Sequence, residues 1–132
     1  MYLYTYMHTV KLSAFLHGEV DNRNFHHADH VCVGFELLRH HNFPDALAVY
    51  SAALHRIATR AGHPEAYHET ITVAFLSLIS EHQAVGQYAD FETFARDNPA
   101  LMDKSLLERW YPRERLVSDI ARRTFVMPEA AR

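Results

Sequence analysis

Phe43-Pro44-Asp45-Ala46-Leu47-Ala48-Val49-Tyr50-Ser51-Ala52-Ala53-Leu54-His55-Arg56-Ile57-Ala58, with Gly62 a few residues on, is the stretch that decides the fold class. Leu47, Tyr50, Leu54, Ile57 and Ala58 recur at steps of three and four residues, the period of an α-helix with one buried face and not of a strand. Proline in the first turn and glycine beyond the last are the expected punctuation of such a helix.

The same period continues outward in both directions. Upstream, Asp21-Asn22-Arg23-Asn24 is a turn signal, and Asn22 or Asn24 is the expected cap of a helix from about Phe25 to His41. Downstream, His63-Pro64-Glu65 opens a third helix whose stripe, Tyr67, Ile71, Ala74, Phe75, Leu78 and Ile79, runs to the neighbourhood of Gly86. Shorter helices are predicted from Asp90 to Arg96, from Ser105 to Trp110, and from Ser118-Asp119 through Arg122. The expected architecture is an all-α domain spanning residues 1–132. Three longer helices form a small bundle with shorter C-terminal helices, and the tail from Tyr111 to Pro128 wraps across it. Residues 1–16 read equally as a short helix or as an extended arm that covers the core with aromatics.

Composition narrows the function classes. The chain has 132 residues, 48% of them hydrophobic, with four glycines and five prolines, which predicts one soluble globular core and not a linker or a disordered chain. A net charge of −3 with scattered Lys and Arg leaves no basic surface for a phosphate backbone, so nucleic acid is not an expected partner. No apolar run reaches the roughly 20 residues that a bilayer span needs, and residues 1–16 lack the basic start and small-residue cleavage site of an export signal. A cytoplasmic protein with no membrane association is the expectation. The single cysteine, Cys32, lies between Val31 and Val33 and reads as a packed thiol with no disulfide partner.

Of the eleven histidines, four lie in two segments that run into apolar surroundings: Phe25-His26-His27-Ala28-Asp29-His30 and Tyr67-His68-Glu69-Thr70-Ile71-Thr72. At about 100° per residue, with Val31 as the centre of the first helix's apolar face, His27 falls about 40° from that centre and His30 about 100°, while His26 turns to solvent. On the third helix, centred on Ile71, His68 sits about 60° round and Thr72 about 100°. Two packed helices would then bring His27, His30 and His68 to one pocket, with Thr72 supplying a hydroxyl. His40 and His41 read as cations at a helix C-terminus, and His55, His63 and His82 as surface residues.

Three readings of that trio stand side by side. His27, His30 and His68 suit one transition metal, zinc, iron or copper, leaving a fourth position open. Neither a His-Glu-x-x-His segment nor a second Glu-x-x-His segment beside Glu65 to His68 is present, which disfavours a metallopeptidase or a di-iron centre. A metal-free site would use His27 or His68 as a general base, since imidazole titrates near neutral pH. In the third reading these are core histidines hydrogen-bonded to backbone.

Phe25, His27, Asp29 and His30, then Tyr67, His68 and Thr70, then Ala121, Arg122 and Pro128 make the chain resemble a family of small, uncharacterised bacterial proteins over roughly residues 25–128. The resemblance implies a shared site and no particular activity. It departs at Tyr111-Pro112, where the pattern has Tyr-Ser, which puts the role of that turn in question. The residues together lead to the expectation of a small-molecule pocket between helices. His27 and His68 are the catalytic candidates, His27, His30 and His68 the metal candidates, and Thr72 and Arg122 the substrate contacts, with Arg115 as a second candidate for an anion. The competing expectation is a non-catalytic helical interaction module or a homodimer with structural histidines.

Overall fold

The structure, a computed structural model, describes residues 12–21 and 23–129, and those residues form helices and connecting turns without a strand. Residues 12–16 are helical (α1). The three longer helices follow as α2 (His27–His40), α3 (Phe43–Arg60) and α4 (Glu69–Gly86). α5 (Phe91–Asp97), α6 (Arg113–Leu116) and α7 (Asp119–Arg123) complete the set, with 3-10 turns at Pro64–Ala66, Pro99–Met102 and Leu106–Arg109. The all-α expectation holds. Of residues 1–16, the part before Leu12 lies outside the described residues, and the remainder is helix and not extended arm.

The starts of these helices follow from their side chains. Asn42 accepts from the Asp45 N–H at 3.0 Å ahead of α3, Asp90 from Thr93 at 2.8 Å ahead of α5, and Ser118 from Ala121 at 3.3 Å ahead of α7. Each oxygen satisfies a backbone donor that a helix's first turn cannot pair internally. Gly62, at φ +83°, ends the segment after α3 in the left-handed region that glycine adopts without steric cost. The cap of α2 is neither Asn22, which lies outside the described residues, nor Asn24. Asn24 instead closes the Asp21 turn through its N–H (2.9 Å to the Asp21 carbonyl), and His26 occupies the cap position with its N–H held by Asp29 Oδ2 at 2.9 Å.

α2 is the centre of the molecule. Val31, Cys32, Val33, Gly34 and Phe35 are all buried, because the helix is covered on two sides. Val31, Cys32 and Phe35 pack with Phe75, Ile79, Phe94, Leu101, Leu107 and Tyr111, while Val33 and Leu37 pack with Phe15, Ala46, Tyr50, Ala53 and Ile57. Leu76 of α4 belongs to the second group, so α4 also reaches across. Gly34 is required by this packing: a Cβ there would stand 3.1 Å from both Ile79 Cδ1 and Leu76 Cδ1.

The C-terminal third contains only short helical pieces and is fastened to the long helices by side chains. Thr70 Oγ1 donates to the Thr124 carbonyl at 2.8 Å and accepts from the Val126 N–H at 3.0 Å, and Tyr111 Oη donates to the Val126 carbonyl at 2.8 Å. Ala121 and Val126 enter the core, so the tail does wrap across the bundle as expected. Pro112 is the N-cap residue of the four-residue α6 and offers no side-chain bond to it, the contribution that a serine at that position could make.

Candidate functional site

His27, His30, His68 and Thr72 line one cavity of about 580 Å³ between α2, α3 and α4. Its floor and walls are mostly apolar, with Val31, Leu54, Ile57, Phe75 and Ile79 among them, and Tyr67 and Lys104 at its polar parts. The four residues that the periodicity argument grouped thus line one space, although His68 reaches it from the extended segment before α4.

His27 occupies the first turn of α2, and its Nε2 lies 2.9 Å from the Leu101 carbonyl. A carbonyl only accepts, so Nε2 carries the proton and Nδ1 is left with its lone pair in the neutral ring. The ring meets Phe75 of α4 edge-on at 4.8 Å between centroids.

His68 departs from the sequence expectation. α4 begins at Glu69, so His68 does not lie on its face. Pro64–Ala66 forms a separate 3-10 turn, after which Tyr67 and His68 are extended. His68 is the N-cap: its Nδ1 accepts from the Ile71 N–H at 3.1 Å, and its Nε2 donates to the Leu116 carbonyl at 2.7 Å. Both ring nitrogens are thereby used, one as acceptor and one as donor, which fits a neutral imidazole. Thr72 is buried and spends its hydroxyl proton on the His68 carbonyl at 2.7 Å, leaving oxygen lone pairs as its further capacity.

His30, placed by the helical wheel at the edge of the apolar face, is strongly desolvated. Phe25 contacts its ring at 4.8 Å and Phe15 at 6.5 Å, both edge-on. It lines the cavity, and burial, assisted by the nearby His27, pushes its pKa down to about 4. It is a neutral imidazole throughout the neutral range. The covering aromatic Phe15 comes from α1, which one helix's periodicity could not reveal. Tyr50, fully buried beneath, donates to the His30 carbonyl at 3.3 Å and has its own pKa raised by burial.

Tyr67, the first residue of the apolar stripe read from sequence, is buried. Its hydroxyl donates to Glu69 Oε1 at 2.6 Å and its ring stacks on His55 at 3.6 Å, so Glu69 faces this side. Burial first, and the Glu69 bond second, raise the Tyr67 pKa and keep it a phenol. Arg122 donates from Nη1 to the Glu65 carbonyl at 3.2 Å, and it lines a second, smaller cavity instead of the main one. Arg115 donates from Nε to the Met127 carbonyl at 2.8 Å and so holds the tail. Cys32 is buried, as its flanks predicted. His40, His41, His55, His63 and His82 are exposed.

Among the described residues no group of three or more His, Cys, Asp or Glu side chains is arranged to hold a metal ion. Among the same residues no helix is long and apolar enough to cross a membrane. The site and fold together define an all-α protein with a histidine-lined cavity. The chain matches no protein-family model, no curated protein and no solved structure, so the resemblance carried by the Phe25–His30 and Tyr67–Thr70 segments and by Ala121, Arg122 and Pro128 rests on those residues alone.

Proposed function

We propose that the protein binds a small molecule in the cavity between α2, α3 and α4, with His27 as its acid–base group. The observation that carries this is the convergence of His27, His30, His68 and Thr72 on one mostly apolar space of about 580 Å³. That volume lies within the roughly 300–1,000 Å³ of ordinary ligand sites, and a few polar groups on apolar walls are their usual lining. Within the trio the roles divide. In its neutral form His27 offers the Nδ1 lone pair while Leu101 fixes its ring, the arrangement a general base needs. His30 serves as an uncharged hydrogen-bonding wall, and His68 holds the cavity's edge in place.

A metal-bound form of this reading, with zinc, iron or copper on His27, His30 and His68, requires His68 to give up either the Ile71 N–H or the Leu116 carbonyl. The hydrogen bonds therefore favour a site that works without metal, and elemental analysis of protein purified without an affinity tag distinguishes the two. Binding itself is tested by a fragment screen observed through the protein's side-chain NMR signals. Hits should shift the ring signals of His27 and Phe75 and disappear in Leu54→Trp, which fills the cavity. A screen to millimolar concentration that shifts neither ring would overturn the proposal.

The interaction-module reading draws on a different observation: Val117, Ile120 and Met127 are each more than half exposed near the C-terminus. Sedimentation of the protein and of Ile120→Lys tests it, since a homodimer through this surface would dissociate in the variant.

A further inference from the structure

Beside the main cavity lies a second of about 200 Å³, and the two share His68, Ile71 and Lys104 as lining residues. The large one is walled mostly by aliphatic and aromatic side chains, and the small one sets Leu107, Leu116 and Val117 beside three cations, Lys104, Arg113 and Arg122, and a single carboxylate, Glu108. Glu108 is occupied by Arg113, whose Nε stands 3.9 Å from its Oε1. Arg122 bonds to the Glu65 carbonyl through one nitrogen, and the Glu65 carboxylate nearby feels its charge, but no side-chain ion pair is formed between them. Lys104 is exposed and makes no hydrogen bond or ion pair with a described residue. Two cations of the small cavity, Lys104 and Arg122, are thus available to an anion, and Lys104 also lines the large, mostly apolar one. Ile71, 37% exposed, is the apolar side chain at the boundary between the two.

We propose that the ligand of this protein is an amphipathic anion. Its apolar body lies in the large cavity, and its carboxylate or phosphate head sits in the small one on Lys104 and Arg122. This rests on the reading of the large cavity as a ligand site and adds the class of ligand. Arginine can grip such a head through two parallel N–H donors, and lysine contributes a mobile point charge. The preference for an anion should weaken with added salt, since Lys104 is open to solvent.

Isothermal titration of the full chain with decanoate, decyl phosphate and decanol tests this. Decanoate or decyl phosphate should bind at least about tenfold more tightly than decanol, the discrimination expected of one or two charge-assisted bonds. Which of the two anions binds better identifies the head group. Lys104→Gln and Arg122→Gln should each reduce that preference severalfold. Lys104→Gln touches no described hydrogen bond and guards against a folding defect in the Arg122 variant. Decanol binding as tightly as both anions would overturn the inference while leaving the cavity as a ligand site. Failure of all three ligands to bind would overturn both.

Discussion

His68 offers the sharpest test of how this molecule is built, because one imidazole both starts α4 and fastens the C-terminal third. Replacing it by alanine removes the N-cap acceptor of the Ile71 N–H, at about 1 kcal/mol. It also strands the Leu116 carbonyl, which the Nε2 donor reaches at 2.7 Å in a half-buried setting, at roughly 1–3 kcal/mol. The sum, about 2–4 kcal/mol, corresponds for a chain of this size to a fall in Tm of about 6–15 °C. Asparagine separates the two parts. It is a good N-cap but too short to reach Leu116, so His68→Asn should recover about 1 kcal/mol of the loss. Glutamine is a poor cap and can extend a donor toward Leu116, so it recovers the other part. Guanidinium unfolding of the three variants, with hydrogen exchange of the Ile71 amide, provides the measurement. Asparagine should restore protection at Ile71 and glutamine should not. Equal stability of the alanine and asparagine variants would refute the capping role. A loss below about 0.5 kcal/mol in His68→Ala would refute the structural account as a whole.

Thr70→Val keeps the shape of a fully buried side chain and deletes both of its bonds to the tail, leaving the Val126 N–H unpaired. A loss of about 2–4 kcal/mol is expected, with exchange protection lost first over residues 124–126, and uniform loss across the chain would contradict it. His30 makes stability pH-dependent. Its pKa is about 4 folded against about 6.5 unfolded, so the unfolded chain takes up the proton first. Its contribution is fully present above pH 6.5 and is lost as pH falls toward 4, to an order of 3 kcal/mol. His30→Gln should flatten that slope in denaturant titrations from pH 7.5 to 4.5, and an unchanged slope would show the ring to be better solvated than its neighbours imply. Gly34→Ala gains about 1 kcal/mol of helix propensity but presses on Ile79 and Leu76 at 3.1 Å, where overpacking costs about 1–3 kcal/mol. A net loss near 1 kcal/mol in chemical denaturation is expected, and a gain would show that those two methyl groups yield freely.

The elements that could be read from sequence are those whose signals are local. α3 announces itself by Asn42, Pro44 and one apolar stripe, and its neighbours follow from the same period. His68 was misplaced because Pro64 and Glu65 imitate a helix's first turn and Tyr67 extends the stripe backward. A histidine preceding Glu-Thr-Ile is not among the usual cap residues, although its Nδ1 can do the same work. The five buried residues Val31 to Phe35 violate a one-faced wheel, and their uninterrupted uncharged run was the available sign that α2 is covered on both sides. Partners set by tertiary structure had no sequence signal: Leu101 stands 74 residues from His27, and Leu116 stands 48 from His68. Lys104, the cation shared by both cavities, was missed for the same reason.

Those long separations bear on how the protein comes into being. During synthesis α2, α3 and α4 leave the ribosome before the carbonyls of Leu101 and Leu116 and the backbone of Thr124 and Val126 exist outside it. Until then His27 Nε2, His68 Nε2 and Thr70 Oγ1 lack these distant partners, and the small cavity lacks the residues from Lys104 onward that line it. Loop closure over such distances is slow relative to helix formation. The form in which both cavities are walled is therefore a late product of translation, and the amphipathic anion proposed above would favour it over shorter nascent chains.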